Sequence, residues 1–203
     1  MSSQCRLILA SASPRRQCLL EEAGYPFLIH PANIDEDDYP AGLDPAHLAE
    51  FLANAKAEAV AGHYPHDVTI GADTIVSLGH ELLGKPTDPI DARRMLSRLS
   101  GTTHLVITGV AVVRPDIHFR RSIAITSTVQ MRPLTMAEID LYVAGGQWQG
   151  KAGGYGIQDD DPFVINLGGS LTNIVGLPME ATRELLAGAG VFPLQNSGGG
   201  SGS

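Results

Sequence analysis

Two periods alternate in the hydrophobic and polar positions at the start of the chain, one typical of strands and the other of helices. Apolar runs at residues 6–10 and 26–30 predict two short strands. Between them, a helix is predicted to begin at Pro14, with Ser13 at its N-cap, and to end at Gly24. The N-terminal segment therefore predicts a strand, a helix and a second strand.

The central part of the chain continues this alternation. Residues 45–62, rich in Ala, Leu, Glu and Lys, predict a helix, and the β-branched run at 67–78 predicts a central strand. A capped helix is predicted at 88–101. Two further β-rich stretches, 103–113 and 121–130, are close enough in sequence to form a hairpin.

The C-terminal part is predicted to hold two more helices, one at 135–146 with capping-box spacing and one at 178–188. Residues 162–167 and 171–175 predict strands. Strands and helices alternate along the chain, but the hairpin favours a mixed sheet over a purely parallel one. The pattern as a whole predicts an α/β fold.

Composition limits the size and the surroundings of this fold. A chain of 203 residues suits one α/β domain, or one domain with two lobes. No apolar run approaches the roughly 18 residues of a membrane span and no signal-peptide pattern is present, so a cytoplasmic location is expected. Cys5 and Cys18 are too few for a disulfide framework or a zinc site, and both are expected to be buried. The domain is assigned to residues 1–190, and residues 191–203 are predicted to be a flexible Gly/Ser-rich tail.

Two arginines stand at the start of the first predicted helix. Arg15 and Arg16 directly follow a Ser-Pro pair, where the helix dipole is positive and disfavours cations. Unpaired backbone N–H groups and guanidinium groups at one helix end can together bind an anion such as phosphate. The alternative is that both are ordinary surface arginines, so this segment by itself leaves phosphate binding open.

Asp73 interrupts an apolar, β-branched run, "IGADTIV", in which aspartate is disfavoured. A buried carboxylate is costly unless it is paired or binds a metal. Asp73 is therefore predicted either to form a salt bridge in the core or to lie at a strand end facing a cleft, and the cleft is favoured. Gly71, two residues earlier on the same face, is expected to leave room there for a ligand.

Loop segments add further candidate groups. The segment 145–151 matches G-x-x-x-x-G-K, the start of a P-loop, but Ala152 replaces the hydroxyl residue that would hold Mg²⁺. A helical pattern also precedes the segment, which excludes a P-loop and with it a kinase or motor ATPase. The glycines that follow it, Gly153, Gly154 and Gly156, are instead expected to let the backbone approach a ligand. Lys85 and the acidic run 35–38 are either solvated or part of a site, and a carboxylate of that run could bind Mg²⁺.

Several of these segments form an ordered set that covers nearly the whole chain up to about residue 188. They are "LASASPRR", "NAKAEAV", "IGADTIV", "GKP", "LSGTTHLVITGV", "KAGGYGIQ" and "NIVGLP". No single segment is decisive, but the ordered set resembles the Maf family of nucleoside triphosphate pyrophosphatases. The resemblance implies a single α/β domain of two lobes, with a mixed, strongly curved sheet flanked by helices and a central cleft.

The resemblance also implies an activity: hydrolysis of nucleoside triphosphates, including modified ones, to the monophosphate and pyrophosphate with a divalent cation, Mg²⁺ or Mn²⁺. Ser11, Arg15 and Arg16 match the family's phosphate-binding loop and helix start. Lys56 and Lys85 match phosphate-contacting lysines. These groups would neutralise the triphosphate before water attacks it.

The carboxylates and the base-recognition residues are assigned in the same way. Glu36 matches a family carboxylate near the metal, and Asp73 matches the general base or metal-linked carboxylate. An Arg-Thr-Gln combination resembles the dTTP/UTP branch, here Arg16 or Arg15 with Thr74 and Gln158. A glutamine amide can accept from N3–H and donate to O4 of thymine or uracil. The family usually has glycine after this glutamine, whereas residues 159–161 are aspartates here.

The expected partner is a nucleoside triphosphate. The formal net charge of −8 argues against an extended nucleic-acid surface, although it leaves room for a local cationic pocket. No membrane partner is expected. A homodimer is among the expected partners, because dimerisation is common in such folds. The alternative function is a nucleotide-binding regulator of cell division without catalysis. The presence of Glu36, Asp73 and both lysines favours the enzyme, because a protein that only binds nucleotides would not need the carboxylates.

Overall fold

A mixed sheet of seven strands carries the fold in the computed structural model, which describes residues 5–158 and 163–194. The strands are β1 (Leu7–Leu9), β2 (Phe27–Ile29), β3 (Val68–Leu78), β4 (Glu81–Leu83), β5 (Thr103–Arg114), β6 (Phe119–Met131) and β7 (Val164–Gly168). The helices are α1 (Pro14–Glu22), α2 (Pro45–Ala61), α3 (Pro89–Leu99), α4 (Met136–Ala144), α5 (Leu171–Val175) and α6 (Met179–Gly188). The strands and helices thus alternate as the apolar pattern predicts.

The strand order is β2-β1-β3-β5-β6-β7, with the short β4 paired to the end of β3. β1 is parallel to both β2 and β3, because α1 and α2 provide the crossovers that parallel neighbours need. The remaining pairs are antiparallel, and β5 and β6 form a long hairpin around a 3₁₀ turn at Pro115–Ile117. The predicted mixed sheet and hairpin are confirmed.

The long strands β3 and β5 run through two separate apolar cores on one face of the sheet. The first core joins the N-terminal half of β3 and the C-terminal half of β5 to α1 and α6. The second joins the opposite halves of these strands to α3 and α4. The facing pair Thr74 and Thr108 lies between the two cores. The single α/β domain therefore has two lobes that share one sheet.

Helix α2 covers the opposite face of β3 and β5 at a short distance. A Cβ atom on Gly71 would lie 2.6 Å from the backbone nitrogen of Ala57, and one on Gly109 would overlap the backbone of Ala49. Only glycine allows the helix backbone to approach the sheet this closely. The expectation that Gly71 leaves room for a ligand is therefore wrong, because α2 fills that space.

The structure differs from the predicted secondary structure in two places: one predicted strand is a helix, and one short strand was not predicted. Residues 171–175, predicted as a strand from their β-branched composition, form helix α5. The side chain of Ser170 caps this helix by accepting a hydrogen bond from the backbone N–H of Asn173, a capping effect that outweighs β propensity here. β4 was missed because three residues are too few to show alternation.

The ends and the cysteines also differ from expectation. Cys18 is exposed and Cys5 is only partly buried, so the prediction of two buried cysteines is wrong. Val191 packs into the first core, and the N–H of Leu194 donates to the carbonyl of Gly24 at 2.8 Å, so packing extends past residue 190. The rest of the predicted tail, 195–203, lies outside the described residues. Within the part that is described, no helix has the length and apolarity needed to cross a membrane.

Candidate active site

A cleft of about 490 Å³ opens beside the threonine pair, between the two cores. Its walls come from the segment leading into α1, the loop after β2, the segment 150–158 and the end of α5. Small-molecule sites have volumes of roughly 300–1,000 Å³. The cleft is therefore large enough for a nucleotide-sized ligand.

Four side chains of alternating charge form a chain from the core to the mouth of this cleft. Asp73 Oδ1 accepts a hydrogen bond from Lys56 Nζ at 2.5 Å, and both side chains are buried. Lys56 Nζ also contacts Glu36 Oε1 at 3.0 Å. Glu36 Oε2 in turn contacts Lys85 Nζ at 3.1 Å, and these two outer side chains are half-exposed. We call these four residues the charge chain.

The charge chain decides between the two predictions for Asp73. Asp73 lies in the middle of β3, on the α2 face, and forms the buried salt bridge that was the less favoured alternative. Lys56 and Glu36 line the cleft, with Asp73 directly behind the ammonium group of Lys56. A movement of Lys56 would therefore bring the Asp73 carboxylate into contact with the cleft.

The donor set of the charge chain suits a divalent cation. Glu36 and Asp73 converge on the same ammonium nitrogen. Burial opposes the charge of Glu36, but the lysines outweigh it, so the pKa of this carboxyl lies below its ordinary value. Mg²⁺ is commonly held by one or two carboxylates together with substrate phosphates. Among the described residues, no three acidic, histidine or cysteine side chains gather around one point.

Arg16 connects three elements at the floor of the cleft. Its Nη1 donates to Ser11 Oγ at 3.1 Å, its Nη2 to Thr74 Oγ1 at 3.1 Å and its Nε to the carbonyl of Gly176 at 2.8 Å. Thr74 Oγ1 continues the network to Thr108 Oγ1 at 3.0 Å. Burial lowers the pKa of Arg16, and its neighbour Arg15 adds to that shift, whereas nearby carboxylates oppose it. Arg16 therefore places a cation in the cleft and fixes α1, β3 and α5 relative to one another.

Arg15 reaches across the cleft to the other lobe. Its Nη2 donates to the carbonyl of Gly150 at 3.0 Å, in the segment that precedes Gln158. The two arginines at the helix start thus use part of their hydrogen-bonding capacity on backbone carbonyls. Both still line the cleft, together with Lys56 and Lys85.

The wall of the cleft becomes apolar two residues further along β3. Val76 faces Val106 two rungs from the threonine pair and on the same face of the sheet, about 7 Å along the strands. Both valines line the cleft, as do Tyr155 and Ile157. Gln158 lines it from the exposed end of the same segment. A polar, cationic half and an apolar half therefore lie side by side.

Comparison with known proteins identifies the family of this chain. The model of the family described as "Maf-like protein" matches residues 6–189. The chain belongs to the Maf-like family. It is 44% identical over 197 residues to a dTTP/UTP pyrophosphatase of Symbiobacterium thermophilum, with 96% of this chain and 99% of that protein covered. It is 46% identical over 200 residues to one of Maricaulis maris, covering 98% and 94%.

The Maf-like chain brings most of its predicted site residues together. Those that line the cleft are Ser11, Arg15, Arg16, Glu36, Lys56, Thr74, Lys85 and Gln158. Asp73 does not line it and is reached only through Lys56. Residues 159–161, where the chain departs from the usual family pattern, lie outside the described residues.

Sequence reasoning missed several groups that shape the Maf-like cleft. Thr108 looked like part of an apolar strand, and the carbonyls of Gly150 and Gly176 carry no signal in the sequence. Tyr155 and its buried partner His104 were also overlooked. Polar residues inside strand-like apolar runs, such as Thr108 and His104, were the signal that could have indicated them.

Proposed function

We propose that this Maf-like chain hydrolyses nucleoside triphosphates, with dTTP and UTP preferred, to the nucleoside monophosphate and pyrophosphate. The single observation that supports this most is the cleft in which five cationic residues, Arg15, Arg16, Lys56, Lys85 and Lys151, adjoin an apolar wall. A triphosphate needs the cations, and a nucleobase needs the apolar wall. The relatives named dTTP/UTP pyrophosphatase match nearly the full chain and support the same activity.

The cationic half would bind the phosphates. In the proposed complex, Arg15, Arg16 and Lys85 bind phosphate oxygens, and Lys56 leaves its carboxylate partners for the same polyanion. This exchange is favourable because the triphosphate replaces the negative charge that Glu36 and Asp73 supply in its absence.

Release of Lys56 would give Asp73 its chemical role. The exposed Asp73 carboxylate would orient a water molecule and take its proton while the water oxygen attacks the α-phosphorus. The bond from the α-phosphorus to the bridging oxygen breaks, and pyrophosphate leaves with that oxygen. Glu36 and Asp73 would hold the divalent cation, which supplies further neutralising charge.

The apolar half would bind the base. Val76, Val106 and Tyr155 offer an apolar surface for a pyrimidine ring, and the Gln158 amide can pair with N3–H and O4. The Arg16–Thr74 hydrogen bond, 3.1 Å long, lies at the boundary between the two halves, where the sugar and first phosphate of a bound nucleotide would meet. A cytoplasmic location and a homodimer remain part of the proposal.

The test is a pyrophosphate-release assay with all standard ribo- and deoxyribonucleoside triphosphates, in buffers with and without Mg²⁺ or Mn²⁺. We expect equimolar monophosphate and pyrophosphate, the highest kcat/KM for dTTP and UTP, and dependence on the cation. Release of orthophosphate and a diphosphate would contradict attack at the α-phosphorus. Binding of nucleotides with no turnover would support a regulator instead.

A further inference from the structure

A buried histidine–tyrosine pair connects the cleft wall, to which Tyr155 belongs, with His104 behind it, a residue to which no role has been assigned above. His104 of β5 is only 2% exposed, and its Nε2 lies 2.6 Å from the hydroxyl oxygen of Tyr155. The two rings pack edge to face with centroids 5.5 Å apart. Tyr155 belongs to the second core, whose other members are apolar, and His104 contacts this core through Tyr155.

This pair costs free energy that an apolar pair would not. The other ring nitrogen of His104, Nδ1, has no hydrogen-bond partner among the described residues. A buried polar atom without a partner is destabilising, and two apolar groups of the same shape would avoid that cost. Burial also lowers the pKa of His104 to about 4, so the ring is neutral at neutral pH. Packing alone therefore gives no reason for a histidine at this position.

Tyr155 belongs to the segment that forms the far wall of the cleft. The backbone N–H of Gly153 donates to the carbonyl of Gly84 at 2.9 Å, and Gly153 and Gly154 both have positive φ angles, of 69° and 75°. This turn directs the side chain of Tyr155 inward. Gln158 follows three residues later, on an exposed part of the same segment.

We propose that His104 is a positioning residue, which fixes the segment 150–158 through the hydroxyl of Tyr155 and thereby sets the place of Gln158 over the cleft. The hydrogen bond fixes one orientation of the tyrosine ring, which an apolar contact would leave free to slide. Base recognition by Gln158 requires a defined distance to the ring of the nucleotide, so a loosened segment weakens it. This inference rests on the proposed function, because Gln158 recognises a base only if a nucleotide binds here.

The experiment compares four variants with the parent chain. H104F and Y155F each remove one partner, the double variant H104F/Y155F makes the pair apolar, and H104Q places an amide near the position of Nε2. We expect the KM for dTTP and UTP to rise about threefold in H104F, Y155F and the double variant, less than on loss of the Gln158 amide itself, with kcat within about twofold, and to return towards the parent value in H104Q. The preference for dTTP over dCTP should fall in parallel.

The double variant separates positioning from stability. Because it leaves no unpaired polar partner, its melting temperature should equal or exceed that of the parent chain while its KM stays high. A double variant with the KM and base preference of the parent chain would overturn the proposal. D67N is the matched control, since Asp67 pairs with Arg6 away from the cleft.

Hydrogen–deuterium exchange provides a readout that does not depend on turnover. Amides of the segment 150–158 should exchange faster in Y155F and in the double variant, and at the parent rate in H104Q. Unchanged exchange in Y155F and in the double variant would overturn the proposal, even if the parent chain proved inactive. Conversely, a parent chain that releases no pyrophosphate while the variants loosen the segment would contradict the proposed function and leave the positioning role intact.

Discussion

The two halves of the cleft are stabilised in opposite ways. In the cationic half, the charges satisfy one another: Asp73, Lys56, Glu36 and Lys85 alternate in sign, with contacts of 2.5 to 3.1 Å. In the apolar half, Val76, Val106 and Ile157 need no partner, and the wall residue Tyr155 is held by a hydrogen bond to the buried His104 behind it. A ligand must therefore replace existing ion pairs in the first half, whereas it meets a preformed surface in the second.

The largest effect is expected where the charge chain is buried. Asp73→Asn removes the proposed base and leaves Lys56 without its closest counter-charge, so kcat should fall about a thousandfold. Loss of one partner of a buried pair should also lower the free energy of unfolding by about 3 kcal/mol. Pyrophosphate release and urea unfolding measure the two effects. Asp73→Asn with near-normal turnover would remove Asp73 from the mechanism, and Asp67→Asn is the control.

The apolar half should respond to pH through His104. The pKa of this ring is about 4 in the folded chain against an ordinary 6.5, so the unfolded chain binds more protons between these values. Keeping the ring neutral costs nothing above pH 6.5, and the free energy of unfolding falls as the pH drops from 6.5 towards 4. Between pH 7 and pH 5 the parent chain should lose about 2 kcal/mol more than H104Q does, as measured by urea unfolding. Equal losses would show that His104 is not the titrating group.

The outer end of the charge chain should affect all triphosphates equally. Lys85→Ala removes a half-exposed cation, so KM should rise about tenfold for every triphosphate, with little change in base preference. Steady-state kinetics with dTTP, UTP and GTP would measure this uniform rise in KM. Arg98→Ala is a suitable control, because Arg98 pairs with Glu81 at the surface. A change in preference would mean that the two halves are not independent.

The smallest effect is expected for the exposed amide at the end of the apolar half. Gln158→Leu keeps the size of the side chain but removes its donor and acceptor. The preference for dTTP and UTP over other triphosphates should fall about fivefold, while kcat for the poorer substrates stays the same. A uniform loss for all substrates would assign Gln158 to phosphate binding instead.

The sequence predicts the strands and helices well because caps, proline and hydrophobic period act locally. The family resemblance groups Arg16 with Thr74, and the structure places the two within hydrogen-bond distance, while their roles stay a prediction. It could not predict that Asp73 lies behind Lys56, because the distance between α2 and the sheet depends on packing between residues far apart in sequence. The helix at 171–175 was missed because its β-branched residues favour a strand locally, whereas the Ser170 cap and the buried contacts of Asn173 together stabilise a helix.

The close approach of α2 to Gly71 and Gly109 has a consequence for engineering the specificity of such a protein. Lys56 lies on α2 and Asp73 on β3, so the spacing of these two backbones sets the geometry of the buried ion pair, and a larger residue at either glycine should disturb it. In the apolar half, Val76 and Val106 belong to strands, whereas Tyr155, Ile157 and Gln158 lie on the loop segment 150–158. New base preferences should therefore be accessible by exchanging that loop between relatives, with the hydrolytic machinery carried over unchanged.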